Sequence, residues 1–133
     1  MFNHNRIRLR ITGFALLIAV SALTACSNST ANTTSYSTED IQILASRVKA
    51  KEVTIYSTSD CLYCNQAKSW MNENNIAFTD CDIETSQQCE KKYKYYKADG
   101  VPFIVVKRQG KEYLMRDGFD SDELLAALQD GAL

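Results

Sequence analysis

Histidine and proline are almost absent from this chain. Its 133 residues include one histidine, His4, and one proline, Pro102. His4 lies in an N-terminal segment that we expect to be removed, and the remaining chain then has no imidazole. Without histidine there can be no Ser–His or Cys–His catalytic pair and no zinc site of mixed cysteine and histidine ligands. These classes of enzyme and metal site are therefore excluded.

The chain also lacks an apolar run long enough to span a membrane as a helix. The apolar run 11–23 has 13 residues, whereas a transmembrane helix needs about 20. It follows a stretch that contains Arg6, Arg8 and Arg10 and no acidic residue. A basic stretch followed by a short apolar run is typical of a secretory signal peptide, so we expect residues 1–25 to be removed. A buried helix is the alternative.

The end of this segment resembles a bacterial lipoprotein signal. Residues 23–26 read Leu-Thr-Ala-Cys, similar to the lipobox, whose cysteine receives a diacylglycerol and becomes the new N-terminus. The resemblance implies a lipid on Cys26 and attachment to a membrane, since more than one acyl chain is enough for stable anchoring. Ser27 favours the outer membrane over the inner one, with the protein facing the periplasm in the cell envelope. Ordinary cleavage near Ala25, which leaves a free thiol, is the alternative.

Basic charge is not in excess, which argues against nucleic acid as a partner. The chain has 15 Lys and Arg against 16 Asp and Glu, and loss of residues 1–25 leaves 12 basic residues and a net charge of −4. One run, 91–97, mixes lysine with tyrosine. At helical spacing Tyr93 and Tyr96 face the sheet while the lysines face water, as in an ordinary solvated helix. We therefore expect no nucleic-acid partner.

Composition divides the chain into three segments. The first is the signal peptide, 1–25. Residues 26–38 form the lipidated N-terminus and a tether rich in Ser, Thr and Asn, which cannot bury enough apolar surface to become ordered. Residues 39–133 have the length and composition of one domain.

Strand and helix patterns alternate along the domain. A short helix is expected first, with apolar residues at 41, 44, 45 and 48 and with Ser37 or Thr38 as its cap. After it, the pattern predicts β-α-β-α-β-β-α, with the elements at 53–56, 61–74, 76–81, 85–97, 103–106, 112–115 and 122–129. Thr85 and Ser86 are the candidate caps of the helix at 85–97, and Thr85 with Gln88 fits a capping box. Such alternation requires a mixed sheet with helices packed on its faces. We therefore predict an α/β fold with a central mixed four-stranded sheet and a short additional N-terminal helix.

Two cysteines stand where the first strand is predicted to meet a helix. Cys61 and Cys64 are separated by two residues. At a helix N-terminus, unpaired N–H groups and the helix dipole favour a thiolate. We expect Cys61, in the exposed first turn, to attack a disulfide, and Cys64, further into the helix, to resolve the mixed disulfide. A CxxC pair between a strand and a helix indicates a thiol–disulfide oxidoreductase.

The strand–CxxC–helix unit and a later Val101-Pro102 resemble the thioredoxin superfamily, and glutaredoxins most closely, over residues 52–133. A proline at the start of a strand is tolerated because it need not donate to the sheet there. The resemblance implies a thioredoxin-like fold in which the proline is cis and faces the CxxC. It also implies that the backbone of the preceding residue pairs with a substrate peptide or with glutathione. These roles fall on Pro102 and Val101.

A stretch before the last helix resembles the glutathione-binding stretch of glutaredoxins. The family pattern is Gly-Gly-x-Ser/Asp-Asp, and residues 118–122 read Gly-Phe-Asp-Ser-Asp. A simple helix cap is the alternative. The chain departs from the family at Phe119, which replaces the second glycine, at Thr58, where many glutaredoxins have lysine, and in lacking the proline of Cys-Pro-Tyr-Cys. Glutathione is therefore kept as one candidate co-substrate, and no resident cofactor is expected. The resemblance implies a substrate-binding surface of Tyr63, Val101, Pro102, Gly118, Asp120 and Ser121.

Two further cysteines, Cys81 and Cys89, are expected to form a structural disulfide. If Cys61 pairs with Cys64, these two remain, between the end of a strand and the first turn of a helix, a separation that a disulfide can bridge. A structural disulfide is the default in an exported protein. A second redox pair is the alternative. A four-cysteine zinc site fits poorly, because C-x7-C is not a close pair of ligands, and we expect no metal.

The leading interpretation is a thiol–disulfide oxidoreductase that acts on protein or glutathione disulfides in the cell envelope, with the direction of electron flow open. One alternative is a glutaredoxin-like module that binds an iron–sulfur cluster or a metal between two subunits. The export signal argues against it, because clusters are assembled in the cytosol. Another alternative is a non-catalytic adaptor on a thioredoxin scaffold, against which the intact CxxC argues.

Overall fold

The computed structural model describes residues 35–130. The predicted signal peptide, the lipidation site Cys26 and the tether as far as residue 34 lie outside the described residues. None of the described helices is long and apolar enough to cross a bilayer.

Four helices and four strands follow one another along residues 35–130. They are α1 (Thr38–Ala45), β1 (Val53–Ser57), α2 (Leu62–Glu73), β2 (Thr79–Asp82), α3 (Gln87–Tyr95), β3 (Phe103–Arg108), β4 (Lys111–Met115) and α4 (Ser121–Asp130). A single 3-10 turn, Ala50–Glu52, precedes β1. The order after α1 is β-α-β-α-β-β-α, which confirms the order predicted from the sequence.

The sheet is mixed, as predicted. Its strands lie in the order β2-β1-β3-β4. β1 runs parallel to β2, with Tyr56 opposite Cys81, and antiparallel to β3, with Tyr56 opposite Phe103. β3 and β4 form an antiparallel pair. A parallel pair needs a crossover connection, and α2 supplies it, so the carboxyl end of β1 leads into the N-terminus of α2.

Apolar side chains cover both faces of the sheet, because successive residues of a strand point to opposite faces. Ile55 belongs to a buried cluster that joins the sheet to α2 and α4. Its neighbour Tyr56 belongs to a second cluster that joins the sheet to α3. The ring centroids of Tyr93 and Tyr96 lie 6.1 and 6.2 Å from that of Tyr56. The prediction that these two tyrosines face the sheet is confirmed.

β2 begins later than the sequence pattern predicts. The pattern placed it at 76–81, and the structure places it at Thr79–Asp82. Ile76 is buried, but its N–H donates to the carbonyl of Met71 over 2.8 Å, directly after Asn75 with φ of 56°. Ile76 therefore closes the end of α2, where an apolar residue commonly packs after a left-handed one.

α3 is shorter than predicted. Of its two predicted caps, Ser86 is confirmed, whereas the capping box of Thr85 and Gln88 is wrong. Ser86 is the N-cap, and its hydroxyl accepts the N–H of Cys89 over 3.3 Å. The N–H of Thr85 instead donates to Oδ1 of Asp82, at 3.0 Å. Asp82 thus organises the residues after β2 into a turn, which moves the start of the helix beyond Thr85.

α1 begins where the sequence predicts, because Ser37, one of its two predicted caps, is the N-cap. Ser37 and Asp40 form a capping box that sets its start at Thr38. Just before it, Tyr36 packs against the core between the sheet and the helices α2 and α4, and its hydroxyl donates to Oε1 of Gln129 over 3.4 Å. Ordered contacts therefore begin inside the segment 26–38.

Candidate active site

A short turn carries the chain from β1 to the first cysteine of the CxxC pair. β1 ends at the buried Ser57. The N–H of Cys61 donates to the carbonyl of Thr58 across 3.4 Å, which closes the turn. Cys61 has an extended backbone and is the N-cap residue of α2. The turn therefore delivers its side chain to the end of the helix where backbone N–H groups lack helical partners.

Cys61 and Cys64 form a disulfide at this helix end. Their Cα atoms are 5.2 Å apart, and the N–H of Cys64 donates to Sγ of Cys61 over 3.0 Å. Cys64 is fully buried, whereas Cys61 is partly exposed. The first turn of α2 contains no acidic residue. On reduction, the helix dipole and the Cys64 N–H favour a thiolate on Cys61, which is the accessible sulfur.

A cavity of about 470 Å³ opens beside Tyr63, the residue that precedes Cys64. Four of the six residues predicted to bind substrate line it, and the peptide bond between Val101 and Pro102 is cis. The lining residues are Tyr63, Gln66, Gly100, Val101, Pro102, Arg116, Asp117, Gly118 and Phe119.

Tyr93 of α3 supports the loop that leads to the cis proline. Its hydroxyl donates to the carbonyl of Gly100 over 3.2 Å. Burial, and secondly the nearby carboxylate of Asp99, raise the pKa of Tyr93. The phenol therefore stays protonated at neutral pH and keeps its hydrogen to donate. One part of the cavity wall is held in this way by α3.

Arg116 is the cation in the cavity wall, and it is engaged by the end of α3. Nη2 donates to the carbonyl of Tyr96 over 3.0 Å and Nη1 to that of Lys97 over 3.5 Å. The guanidinium also lies over the ring of Phe103, 5.6 Å from its centroid. A cation is favourable at a helix C-terminus. The remaining charged residue in the lining is an acid, Asp117.

Phe119 adds an aromatic ring to the cavity wall. Its ring centroid lies 5.5 Å from that of Trp70, with the planes tilted by 55°. Gly118, just before it, has φ of 105°, a conformation that glycine adopts without steric cost. The backbone thus bends at Gly118, and the aromatic ring that follows is fixed against α2.

The other two predicted binding residues start α4. Oδ1 of Asp120 accepts the N–H of Glu123 over 2.9 Å, and Ser121 is the first residue of the helix. Asp122 and Glu123 add two further acids to the first turn. Three carboxylates therefore already occupy the positive end of this helix dipole, which disfavours the approach of another.

Cys81 and Cys89 form a second disulfide, with Cα atoms 5.4 Å apart. It joins β2 to the first turn of α3. Both cysteines belong to the cluster on the α3 face of the sheet, whereas α2, which carries Cys64, packs on the other face. The sheet thus lies between α2 and the second disulfide, which clamps α3 to β2.

A small polar network ties α2 to the sheet one helical turn after Cys64. Oγ of Ser57 donates to Oδ1 of Asp80 over 2.6 Å. Nζ of Lys68 donates to Oδ2 of the same carboxylate over 2.9 Å. The buried hydroxyl of Ser57 is therefore satisfied, as buried polar groups need to be.

Several residues of the site were not identified from the sequence. Gly100 and Asp117 adjoin predicted residues, which is the only sequence signal they offer. Gln66 and Arg116 line the cavity, and Tyr93 supports its wall through the carbonyl of Gly100. None of the three carries a local sequence signal. The described residues 35–130 contain no group of three or more His, Cys, Asp or Glu side chains that could hold a metal ion.

Known proteins resemble this chain in sequence and in fold. Residues 53–111 match the family model for glutaredoxin. The match ends before residues 118–122, so it does not include the stretch that resembles the glutathione-binding stretch of glutaredoxins.

Two curated relatives are each called glutaredoxin-like protein NrdH, from Lactococcus lactis subsp. cremoris (strain MG1363) and subsp. lactis (strain IL1403). Each is 35% identical over 40 residues, which are 30% of this chain and 56% of the relative. The chain thus spans about half the length of the curated relatives it matches.

A solved structure gives the fold. A mutant of the thioredoxin-like protein BC3987 superposes with a TM-score of 0.50 and 24% sequence identity, over 59% of this chain and 96% of that one. The prediction of a thioredoxin-like fold is confirmed. The described domain has the thioredoxin fold, and residues 53–111 of it are glutaredoxin-like in sequence.

Proposed function

We propose that this protein is a thiol–disulfide oxidoreductase in which Cys61 attacks and Cys64 resolves. The observation that carries the proposal is the disulfide at the start of α2, where the Cys64 N–H lies 3.0 Å from Sγ of Cys61. The glutaredoxin-like sequence of residues 53–111 supports it. A helix N-terminus with a buried second thiol is suited to forming and then resolving a mixed disulfide.

The exchange proceeds in two steps. In the reducing direction, the Cys61 thiolate attacks one sulfur of a substrate disulfide and expels the other sulfur as a thiolate, which takes up a proton. Cys64 then loses its proton and attacks Sγ of Cys61, which releases the second substrate thiol. Two electrons and two protons have passed to the substrate, and Cys61–Cys64 is oxidised. The oxidising direction is the reverse of these steps.

The substrate class that the cavity supports best is a protein disulfide. Apolar surface surrounds the nucleophile, because Leu62 and Tyr63 are 64% and 68% exposed. Phe119 narrows the cavity, and Arg116 is engaged by backbone carbonyls. Glutathione carries two carboxylates at neutral pH. The acidic side chains at the start of α4 repel them, and the one arginine in the lining already donates to backbone carbonyls. We therefore place glutathione second, as a small co-substrate, and assign no resident cofactor.

The cell envelope is the proposed location. The lipobox-like sequence ending at Cys26 supports a lipid anchor, and Ser27 supports the outer membrane with the domain facing the periplasm. The partners we propose are protein disulfides or small thiols and, through the lipid, a membrane. The deficit of basic charge supports the absence of a nucleic-acid partner.

A redox titration tests the proposed activity and gives its direction. The purified chain is equilibrated in graded thiol buffers, free thiols are trapped, and the peptides that contain Cys61 and Cys64 are quantified by mass spectrometry. We expect the two to titrate together as one two-electron couple. A potential near that of thioredoxin, about −270 mV, indicates a reductase, whereas one near −120 mV indicates an oxidant. If they never titrate as a pair, the proposal fails.

Single cysteine variants test the two roles. We expect Cys61→Ser to abolish reduction of a protein disulfide, because the thiol that remains, Cys64, is fully buried. Cys64→Ser should still attack and should accumulate a mixed disulfide with the substrate, visible as a mass increase on the peptide that contains Cys61. The assignment of Cys61 as the attacking residue would be contradicted if Cys64→Ser formed no mixed disulfide, or if Cys61→Ser formed one.

A further inference from the structure

The turn that presents Cys61 is held by a residue from a different loop. Ser59, in the middle of this turn, donates twice to one oxygen of Glu84. Its N–H lies 3.0 Å and its hydroxyl 2.9 Å from Oε2 of Glu84. Glu84 is 25 positions away along the chain, between β2 and α3. The β1–α2 turn therefore has an external tie two residues before the nucleophile.

The loop that carries Glu84 is itself closed by the second disulfide. Cys81 and Cys89 bracket residues 82–88. Within the loop, Oδ1 of Asp82 accepts the N–H groups of Glu84 and Thr85 over 2.8 and 3.0 Å. The N–H of Ile83 donates to the carbonyl of Ser57 over 3.0 Å, which docks the loop against the end of β1. Glu84 is thus presented by a segment restrained at both ends.

We propose that Glu84 is a positioning residue for Cys61 and that the Cys81–Cys89 disulfide holds Glu84 in place. The inference rests on the proposed function, because it concerns the reactivity of the same nucleophile. Glu84 acts by keeping the β1–α2 turn ordered through its hydrogen bonds to Ser59. Sγ of Cys61 benefits from the Cys64 N–H and from the helix dipole only while the turn keeps the side chain at the helix end.

The charge of Glu84 and its hydrogen bonds have opposite effects on how readily Cys61 forms a thiolate. The acids next to this turn are Asp60 and Glu84, and negative charge near a thiol disfavours the thiolate. The two bonds to Ser59 favour the thiolate by holding the turn. A variant that removes both and a variant that removes only the charge therefore have different expected effects.

The experiment uses the full chain with Cys64→Ser, which leaves Cys61 as a free thiol and the Cys81–Cys89 disulfide intact. Alkylation of Cys61 is followed between pH 4 and 9 by peptide mass spectrometry in this parent and in Glu84→Ala and Glu84→Gln. We expect Glu84→Ala to slow alkylation at pH 6 by about fivefold, because a raised pKa lowers the thiolate fraction. Glu84→Gln, whose amide oxygen accepts both Ser59 bonds, should alkylate at least as fast as the parent.

A matched control is available in the same helix. Glu73 accepts the hydroxyl of Ser69 over 3.0 Å near the C-terminal end of α2, so Glu73→Ala removes a similar Ser–Glu pair away from the CxxC. It should leave the pH profile of Cys61 unchanged. The inference is overturned if Glu84→Ala and Glu84→Gln both speed alkylation, since charge alone then acts, or if neither changes it.

Removal of the Cys81–Cys89 disulfide tests whether it holds Glu84 in place. In the Cys64→Ser parent, Cys81→Ser with Cys89→Ser should slow alkylation of Cys61 in the same direction as Glu84→Ala. Adding Glu84→Ala to it should have little further effect, because both changes release the same tie. Fully additive effects would overturn the role of the disulfide. A parent in which Cys61 has an ordinary thiol pKa and forms no mixed disulfide would instead count against the proposed function itself.

Discussion

At the scale of single residues, Phe119 narrows the cavity. Its ring occupies the wall beside Trp70, at a position where the glutaredoxin pattern has glycine. We expect Phe119→Gly to raise the rate of reaction with glutathione disulfide about tenfold relative to the rate with hydroxyethyl disulfide. Gain or loss of one apolar contact in a pocket changes the relative activation free energies of two substrates by about 1–3 kcal/mol. Stopped-flow kinetics of the reduced protein measure both rates.

Phe119→Leu is the control for this change, since it keeps an apolar side chain in the wall. Its ratio of the two rates should stay close to that of the unmodified chain. The same ratio in all three proteins would mean that the ring does not determine access for glutathione.

The residues of the site differ in how far the sequence could reveal them. Cys61 and Cys64 were predicted with their exposed and buried positions, because helix periodicity and the preceding strand fix both. Val101 and Pro102 were found by resemblance to a family. Glu84, Tyr93 and Arg116 act through partners 25, 7 and 20 residues away. No local pattern encodes such pairings, so the sequence alone could not assign them.

At the scale of elements, the turn between β2 and α3 should make stability depend on pH. Hydrogen bonds from the N–H groups of Glu84 and Thr85 hold the pKa of Asp82 below its ordinary value of 3.8. A lowered pKa in the folded state means that the ionised group stabilises the fold. This contribution is complete above the ordinary value and is lost as the pH falls through the lowered one.

Urea unfolding of the unmodified chain and of Asp82→Asn measures this contribution. We expect the difference between their free energies of unfolding to be constant from about pH 5 to pH 8 and to shrink below about pH 4. The asparagine still accepts hydrogen bonds, so the comparison isolates the charge. A difference that stays constant down to pH 2 would contradict the role of Asp82.

Element types were easier to predict than element ends. α2 and the strand β1 follow from helix periodicity and from a β-branched run, and both lie where the pattern placed them. The ends of α2 and α3 depend on single hydrogen bonds. Ile76 looked like the start of a strand but closes a helix, and Thr85 looked like a cap but donates to Asp82. Local propensity cannot distinguish these uses of the same residue.

At the scale of the whole molecule, the proposed lipid anchor determines where the domain acts. We expect Cys26→Ser to move the protein from the membrane fraction to the soluble fraction of cells, because stable attachment needs the acyl chains. Immunoblots of separated membranes measure the change. Ser27→Asp is the matched variant, and it should keep the protein membrane-bound but shift it from the outer to the inner membrane. An unchanged membrane fraction for Cys26→Ser would contradict lipid anchoring.

The contact between Trp70 and Phe119 has an optical consequence. The chain has one tryptophan, and it packs against the ring of Phe119, which lines the cavity. All indole fluorescence of this protein therefore originates one aromatic ring away from the cavity. A peptide that enters the cavity and displaces Phe119 must alter the emission of that single fluorophore. The molecule thus contains its own unlabelled reporter, with which candidate substrates can be ranked by titration before any partner is known.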